Sequence, residues 1–255
     1  MTAIELGGFG RRYHASPPTL APQFRPGSWN AYPFVLVAVI AGCAYVLSYG
    51  IGWDCSQMLA GLAGVDQLPD STANAIATVV CAGVTVGTIL VMCRLLPATA
   101  LSFGFVKPRL AQLGLAAVVW LVSLVAMLIA LFEVERLTGP IGRTSADYMD
   151  NHHGLIDYWN DVVTSAVATP IVEEALFRGL FFAALVQRMP AWLAALISSF
   201  VFAVCHLEPH RIIPLTIMGL GFAYVYYRSG TLWAPIAAHA LNNLLVVSLT
   251  LWLNG

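Results

Sequence analysis

Residues 166–184 read AVATPIVEEALFRGLFFAA, and this stretch sets three charged side chains, Glu173, Glu174 and Arg178, in the middle of an apolar run. Together with its apolar neighbours the run is long enough to form a helix that crosses a membrane. A charged carboxylate at the centre of a bilayer costs about 2.5–3.5 kcal/mol on insertion scales. Ionisable residues inside a membrane are usually functional, so this cluster predicts a functional site.

The composition of the chain is that of a membrane protein that crosses the bilayer several times. Of the 255 residues, 59% are hydrophobic and 10% are charged, whereas a soluble domain carries about 25% charged residues. The net charge of −1 offers no basic surplus for binding nucleic acid. Residues 1–30 contain prolines and arginines but no apolar core, which predicts a polar cytoplasmic tail, with no cleavable signal peptide. We expect a single transmembrane domain over residues 31–255.

Seven apolar segments approach the length of about 20 residues that a spanning helix needs. They predict an all-α polytopic membrane fold with about seven transmembrane helices, within a range of about six to eight. The segments cover approximately residues 33–51, 73–93, 111–132, 161–187, 191–207, 211–228 and 232–252.

The distribution of lysine and arginine predicts the orientation in the membrane. If seven helices alternate in direction, the N-terminal tail and the basic loop residues fall on the same side; these residues are Arg94, Lys107, Arg109, Arg188 and Arg228. Basic residues in short loops stay in the cytoplasm, so we expect a cytoplasmic N-terminus and an external C-terminus. An integral protein of the bacterial inner membrane is the expected location.

Two connections are unusual. Residues 101–110, LSFGFVKPRL, are too few to span, and their mixture of aromatic and basic residues is typical of an interfacial segment or of an ordinary loop. Residues 133–160 form the longest polar connection, which predicts either a cap over the outer face or a simple loop.

Polar residues of the last four predicted helices are expected at one depth. Counted from the cytoplasmic helix ends at about 1.5 Å per residue, Glu173, His206 and His239 fall within roughly 8 Å of one level. Asn243 follows His239 by four residues and shares its helix face. The sequence therefore predicts a polar active-site cavity within the C-terminal four helices.

Spacing within the helices separates the two glutamates. Glu174 and Arg178 are four residues apart, so they can form an ion pair on one helix face. Glu173 is turned about 100° away and needs a partner on another helix or a water molecule. Glu173 with a histidine suits deprotonation of a water, and an imidazole with an amide suits stabilisation of an oxyanion.

Several of these residues also have purely structural interpretations. Glu174 and Arg178 can simply fix helix packing, and His206 can lie in water at a helix end, because Pro209 predicts that the helix stops there. His210 follows His206 by four residues and suggests a metal pair, but the intervening proline argues against that geometry. Asn242 is expected to point away from the site and to hold helices together.

Three motifs in order resemble the CPBP family of intramembrane proteases, which includes the type II CAAX prenyl endopeptidases and the bacteriocin-processing and Abi-like immunity proteins. The resemblance covers about residues 160–245 and implies a catalytic region at about 160–250. Its motifs here are Glu173-Glu174-Ala-Leu-Phe-Arg178, Phe202-Ala-Val-Cys-His206 and His239-Ala-Leu-Asn-Asn243.

This resemblance implies an all-helical membrane fold and an endopeptidase that cleaves a membrane-associated protein or peptide with a glutamate-activated water. It implies that Glu173 is the general base and that His206 helps to hold the water. His239 and Asn243 would polarise the scissile carbonyl group. Glu174, Arg178 and Phe202 would support the site.

The resemblance leaves the metal question open, because the family has been described both as metallo-dependent and as glutamate-dependent. Glu173, His206 and His239 could bind zinc with an open fourth position. A compact ligand pair such as His-Glu-x-x-His is missing from the sequence. We therefore favour a metal-independent mechanism and assign no certain cofactor.

Two other functions compete with proteolysis. A non-catalytic membrane protein could use the same fold for immunity or as a scaffold. A proton-coupled transporter could use Glu173 as its relay, but transporters often contain repeated halves, and the polar residues here fall only in the second half. The sequence does not identify a substrate.

Overall fold

The computed structural model describes residues 52, 54–66, 68, 70–95, 103–139 and 155–254. This part of the chain is helical apart from its connections and contains no β-strand, which confirms the all-α prediction there. Seven helices are described: α1 (54–63), α2 (Asp70–Leu95), α3 (Leu110–Thr138), α4 (155–185), α5 (Ala191–Val204), α6 (Ile212–Ser229) and α7 (Trp233–Asn254).

Six of the seven predicted apolar segments coincide with helices α2 to α7. The first predicted segment, residues 33–51, and the tail, residues 1–30, lie outside the described residues. The prediction for residues 133–160 was partly wrong, because α3 continues to Thr138 and α4 already begins at Leu155. The charged residues Glu133, Glu135 and Arg136 therefore extend a helix, and the Arg136 side chain forms an ion pair with Glu133 at 2.7 Å.

Helix α3 has the surface of a membrane-embedded helix. Within the described residues it alone passes as long and apolar enough to cross a bilayer, with a mean hydropathy of 2.8 over its most apolar window. Only 11% of that window is buried inside the molecule. A helix that exposes most of its apolar side chains is unfavourable in water and suits a lipid environment.

Helix α4 contains two π-helical segments, one before and one after the two glutamates. The chain is π-helical over Val162–Ala168, α-helical over Thr169–Glu174 and π-helical again over Ala175–Phe182. Pro170 lies in the first turn of the α-helical part. Proline lacks an amide hydrogen and its ring collides with the carbonyl group four residues earlier, so an irregular turn before it is expected.

Glycines bring α6 close to its neighbours on two sides. A Cβ atom on Gly219 would lie 2.9 Å from the Cβ atom of Ser199 in α5. A Cβ atom on Gly221 would collide with the Ser123 side chain in α3. Small residues at such contacts are typical of membrane helices, whose backbones approach closely.

The short segment before α3 is anchored in the protein core. Phe103 is fully buried, and its carbonyl oxygen accepts a hydrogen bond of 2.7 Å from the Tyr226 hydroxyl group. The Leu232 amide donates to the Gly104 carbonyl oxygen at 2.8 Å. The sequence suggested either an interfacial segment or an ordinary loop over residues 101–110. Within the described part of this segment, Phe103 is buried in the protein, whereas Lys107 is exposed.

Candidate active site

The four residues predicted to be catalytic line a single cavity of about 350 Å³. Glu173 belongs to α4, His206 follows α5, and His239 and Asn243 belong to α7. The wall is not confined to the four C-terminal helices, because α2 and α3 also contribute to it. Their contributions are Thr78, Met127 and Leu131.

Glu174 and Arg178 lie behind the cavity in a fully buried ion pair. Arg178 Nη1 donates to Glu174 Oε1 at 2.9 Å, as the spacing of four residues predicts. Arg178 Nη2 donates to the Gly219 carbonyl oxygen at 3.1 Å. The guanidinium carbon lies 4.6 Å from the ring centroid of Phe202 and 5.3 Å from that of Phe222. The arginine is therefore held by a carboxylate, a backbone carbonyl group and two aromatic rings.

The absence of a side chain at Gly219 makes room for this arrangement. A Cβ atom at position 219 would lie 3.1 Å from Arg178 Nη2 as well as close to Ser199. The guanidinium group can therefore reach the carbonyl oxygen of a neighbouring helix only because glycine leaves that surface open.

His239 connects the two glutamates. Its Nδ1 lies 3.0 Å from Glu174 Oε1, and since a carboxylate in an ion pair accepts hydrogen bonds, Nδ1 is the donor. Its Nε2 lies 3.7 Å from Glu173 Oε2. Glu174 Oε1 thus accepts hydrogen bonds from both Arg178 and His239. The sequence suggested only the first of these partners.

Two phenylalanines fix the plane of the His239 ring. Phe222 stacks on it with a centroid distance of 4.8 Å and an interplanar angle of 20°. Phe202 meets the same ring edge-on at 5.9 Å. Stacking restricts the plane of the imidazole but still allows a flip of 180°, and the hydrogen bond to Glu174 selects one of the two flipped states. The sequence alone suggested no role for Phe222.

His206 lies just beyond the end of α5, which stops at Val204. Its Nδ1 donates to the Phe202 carbonyl oxygen at 2.9 Å, since a carbonyl oxygen can only accept. In the neutral ring, Nε2 then keeps an unshared electron pair. Leu207 takes up a left-handed conformation with φ of 57°, which turns the chain towards Pro209. The predicted helix end before Pro209 is therefore observed.

Asn243 is anchored to the first π-helical segment of α4. Its Nδ2 donates to the Ser165 carbonyl oxygen at 2.8 Å. The neighbouring Asn242 donates from its own Nδ2 to Asn243 Oδ1 at 3.4 Å. Asn242 also lines the cavity, so the prediction that it points away from the site was wrong.

Arg211 adds a cation to the cavity wall, and the sequence motifs gave no indication of it. It closes the short turn Pro209–Arg211, and its Nε lies 3.0 Å from Glu208 Oε2. The sequence could have pointed to Arg211 by its position, which is only five residues after His206. His210, which the sequence raised as a possible metal ligand, is not among the residues that line the cavity.

The donor groups of the site do not form a metal cluster. Among the residues that the structure describes, no group of three histidine, cysteine, aspartate or glutamate side chains is arranged to hold a metal ion. Glu173, His206 and His239, the alternative zinc ligands suggested by the sequence, share the cavity but are not grouped as three ligands that could hold one metal ion. The bond from His239 Nδ1 to Glu174 still leaves Nε2 able to bind a metal or a proton.

Comparison with known proteins supports the family resemblance. The family described as Type II CAAX prenyl endopeptidase Rce1-like matches residues 156–245. A protein of Bacillus subtilis (strain 168), named "Putative membrane peptidase YdiL", is 32% identical over 150 residues, which cover 55% of this chain and 59% of the relative. The chain therefore spans less than two thirds of that relative. No solved structure gives a significant match.

These matches confirm the resemblance to CPBP-family proteases that the three motifs predicted. The matched region begins at the start of α4 and ends in α7, so it contains the four predicted catalytic residues. The family and the relative both point to a membrane protein, in agreement with the apolar surface of α3.

Proposed function

We propose that the protein is an intramembrane endopeptidase similar to the CAAX proteases, which hydrolyses a peptide bond of a membrane-associated protein or peptide. One observation carries the proposal: a glutamate, two histidines and an asparagine from three separate parts of the chain line one cavity. The match to a family of endopeptidases over the same residues supports this assignment.

In this proposal, the chain is a single transmembrane domain over residues 31–255 that follows a cytoplasmic tail. It crosses a bacterial inner membrane about seven times, with the N-terminus in the cytoplasm. The apolar surface of α3 and the coincidence of six predicted spans with helices support this arrangement.

Glu173 is the general base of the proposed reaction. The residue is 5% exposed and lines the cavity, where its carboxylate can take a proton from a water molecule. His206 lines the same cavity, and its Nε2 can accept the second hydrogen of that water. The water oxygen then attacks the carbonyl carbon of the scissile bond.

His239 and Asn243 stabilise the oxyanion that this attack creates. Asn243 Nδ2 has a second hydrogen beyond the one that it donates to Ser165. Since His239 Nδ1 donates to Glu174, His239 can donate to the oxyanion only through Nε2 and must carry both ring protons at this step. Collapse of the oxyanion breaks the carbon–nitrogen bond, and the proton held by Glu173 passes to the leaving amine.

Glu174 and Arg178 act on this reaction through His239. The ion pair keeps the Glu174 carboxylate charged in a fully buried position, and this carboxylate sets the ring orientation of His239. The proposed mechanism is metal-independent, since each of its proton transfers uses a side chain of the protein itself. Metal analysis of the purified protein, with cleavage measured before and after chelator treatment, tests this part.

The proposal is tested by comparing protein termini in membranes from cells that express the wild type, Glu173→Gln or Glu133→Gln. Glu133 is an exposed glutamate of α3 outside the cavity and serves as the matched control. We expect a set of new termini in the wild type and in Glu133→Gln that is missing from Glu173→Gln, with equal amounts of all three proteins. Identical termini in the Glu173→Gln membranes would contradict a peptidase that uses Glu173.

The same strains separate proteolysis from a non-catalytic role. If a deletion phenotype is restored in full by Glu173→Gln, the protein acts as an immunity or scaffold protein and the peptidase proposal fails. We expect the wild type and Glu133→Gln to restore the phenotype and Glu173→Gln to leave it unrestored.

A further inference from the structure

The first π-helical segment of α4 ends where its hydrogen-bond register meets a proline. In this register each amide donates to the carbonyl group five residues earlier, and the last such bond runs from the Thr169 amide to the Thr164 carbonyl oxygen. The next bond would run from residue 170 to the Ser165 carbonyl oxygen. Residue 170 is a proline and has no amide hydrogen to donate.

The Ser165 carbonyl oxygen therefore loses both of its ordinary helical donors. In an α-helix its donor would be the amide of Thr169, but that amide is bonded to Thr164. In a π-helix its donor would be residue 170. The carbonyl oxygen accepts instead from Asn243 Nδ2 of α7, at 2.8 Å.

We propose that Pro170 is a positioning residue for catalysis: it withholds an amide hydrogen from the Ser165 carbonyl oxygen and so reserves this acceptor for Asn243. The inference deepens the proposed function and rests on it for the role of Asn243. The terminal torsion of an asparagine side chain is broad, so without a fixed acceptor the amide can turn freely. With Nδ2 held by Ser165, its second hydrogen has a defined direction within the cavity.

If Pro170 positions Asn243, replacement of Pro170 by alanine should lower activity without lowering stability. Replacement of a proline inside a helix by alanine restores a backbone hydrogen bond and normally stabilises the helix. At position 170 the restored amide competes with Asn243 for the Ser165 carbonyl oxygen. The protein then unfolds at the same or a higher temperature, while the oxyanion donor is misplaced.

The experiment compares two substitutions that differ in one backbone group. Pro170→Ala introduces an amide hydrogen. The α-hydroxy acid analogue of alanine, introduced at the same position by amber suppression, has the same side chain but an ester oxygen in place of the N–H group. Pro235→Ala, at a buried proline in the first turn of α7 where amides have no helical acceptor, is the control.

The first readout requires no activity. Side-chain amide signals of asparagine are recorded by nuclear magnetic resonance on the ¹⁵N-labelled full-length protein in nanodiscs, and the Asn243 signals are assigned from their loss in Asn243→Ala. We expect the Asn243 signals to shift in Pro170→Ala and to stay at their wild-type positions in the ester and in Pro235→Ala. Unchanged Asn243 signals in Pro170→Ala would overturn the proposal whether or not the protein is a peptidase.

The second readout is cleavage of a synthetic peptide that spans a cleavage site mapped in the membrane comparison. We expect kcat to fall by about 10- to 100-fold in Pro170→Ala, as for a misplaced catalytic group, with KM nearly unchanged. The ester and Pro235→Ala should retain wild-type kcat. Equal losses in Pro170→Ala and in the ester would overturn the proposal, because the amide hydrogen would then be irrelevant.

A double-substitution cycle covers the case in which Pro170→Ala accumulates poorly. Combined with Asn243→Ala, Pro170→Ala should produce no further loss of kcat, since the residue that it misplaces is already gone. Additive losses would show that Pro170 acts independently of Asn243 and would overturn the proposal. If the wild type cleaves no peptide while the Asn243 signals shift as expected, the proposed function fails but the positioning by Pro170 holds.

Discussion

Loss of the Arg178 side chain should destabilise the protein strongly, because it leaves a buried carboxylate without its main counter-charge. Arg178→Met removes the 2.9 Å ion pair with Glu174 and the 3.1 Å bond to the Gly219 carbonyl oxygen. Both charged side chains are fully buried. Breaking one partner of such a pair costs about 3–5 kcal/mol, most of it from the remaining unpaired charge.

The double variant Arg178→Met/Glu174→Gln separates the charge from the rest of the contacts. Glutamine removes the charge but keeps an oxygen that can accept from His239 Nδ1. The remaining cost is the lost bond to Gly219 and the lost stacking on Phe202, together about 1–3 kcal/mol. We therefore expect the double variant to be more stable than Arg178→Met by about 2 kcal/mol.

The assay is unfolding of the purified protein in mixed micelles with increasing denaturing detergent, followed by circular dichroism. The free energies of unfolding of the wild type, the single variant and the double variant are compared under the same conditions. A double variant as unstable as Arg178→Met, or less stable, would refute the idea that the uncompensated charge of Glu174 dominates the loss.

Two further substitutions test the packing around the site. Gly219→Ala should lower the free energy of unfolding by about 1–3 kcal/mol, because the added methyl group overpacks against α5 and the guanidinium group. Gly83→Ala in α2 is the control and should not destabilise the protein, since a Cβ atom there meets nothing within 4 Å. Equal unfolding free energies for the two variants would contradict the close contact at Gly219. Phe222→Leu should lower kcat by about 10-fold or more with little change in KM, because the His239 ring loses its stacking partner. Phe182→Leu, at an equally buried phenylalanine outside the cavity, controls for the lost volume, and a similar fall in kcat for both would rule out a specific role of Phe222.

Local rules predicted the parts of the site that depend on one helix. The pairing of Glu174 with Arg178 follows from a spacing of four residues, which brings side chains together in an α-helix and still does so across the junction with the second π-helical segment. The end of α5 before Pro209 follows from the restricted backbone of the residue before a proline. Depth counting also brought Glu173, His206 and His239 to one level, and they share one cavity.

The contacts that sequence reasoning missed depend on distant parts of the chain or on irregular backbone. The hydrogen bond from His239 to Glu174 joins residues 65 positions apart, and the stacking of Phe222 on His239 depends on how α6 packs against α7. Asn243 donates to the carbonyl oxygen of Ser165 within a π-helical segment, and hydrophobic spacing does not reveal such a segment. The prediction for Asn242 was wrong because helix spacing alone does not show that the cavity extends to the face of α7 that carries Asn242.

The buried segment that begins at Phe103 ties the first half of the protein to the chemistry of the second half. Its carbonyl groups hold Tyr226 at the end of α6 and Leu232 just before α7, the helix that carries His239 and Asn243. Helix α3 follows directly and supplies part of the cavity wall. The segment from Phe103 and helix α3 hold none of the proposed catalytic groups, yet they position the start of α7 and help to enclose the cavity. We therefore expect a change in the backbone of this segment to shift α7 and, with it, His239 and Asn243.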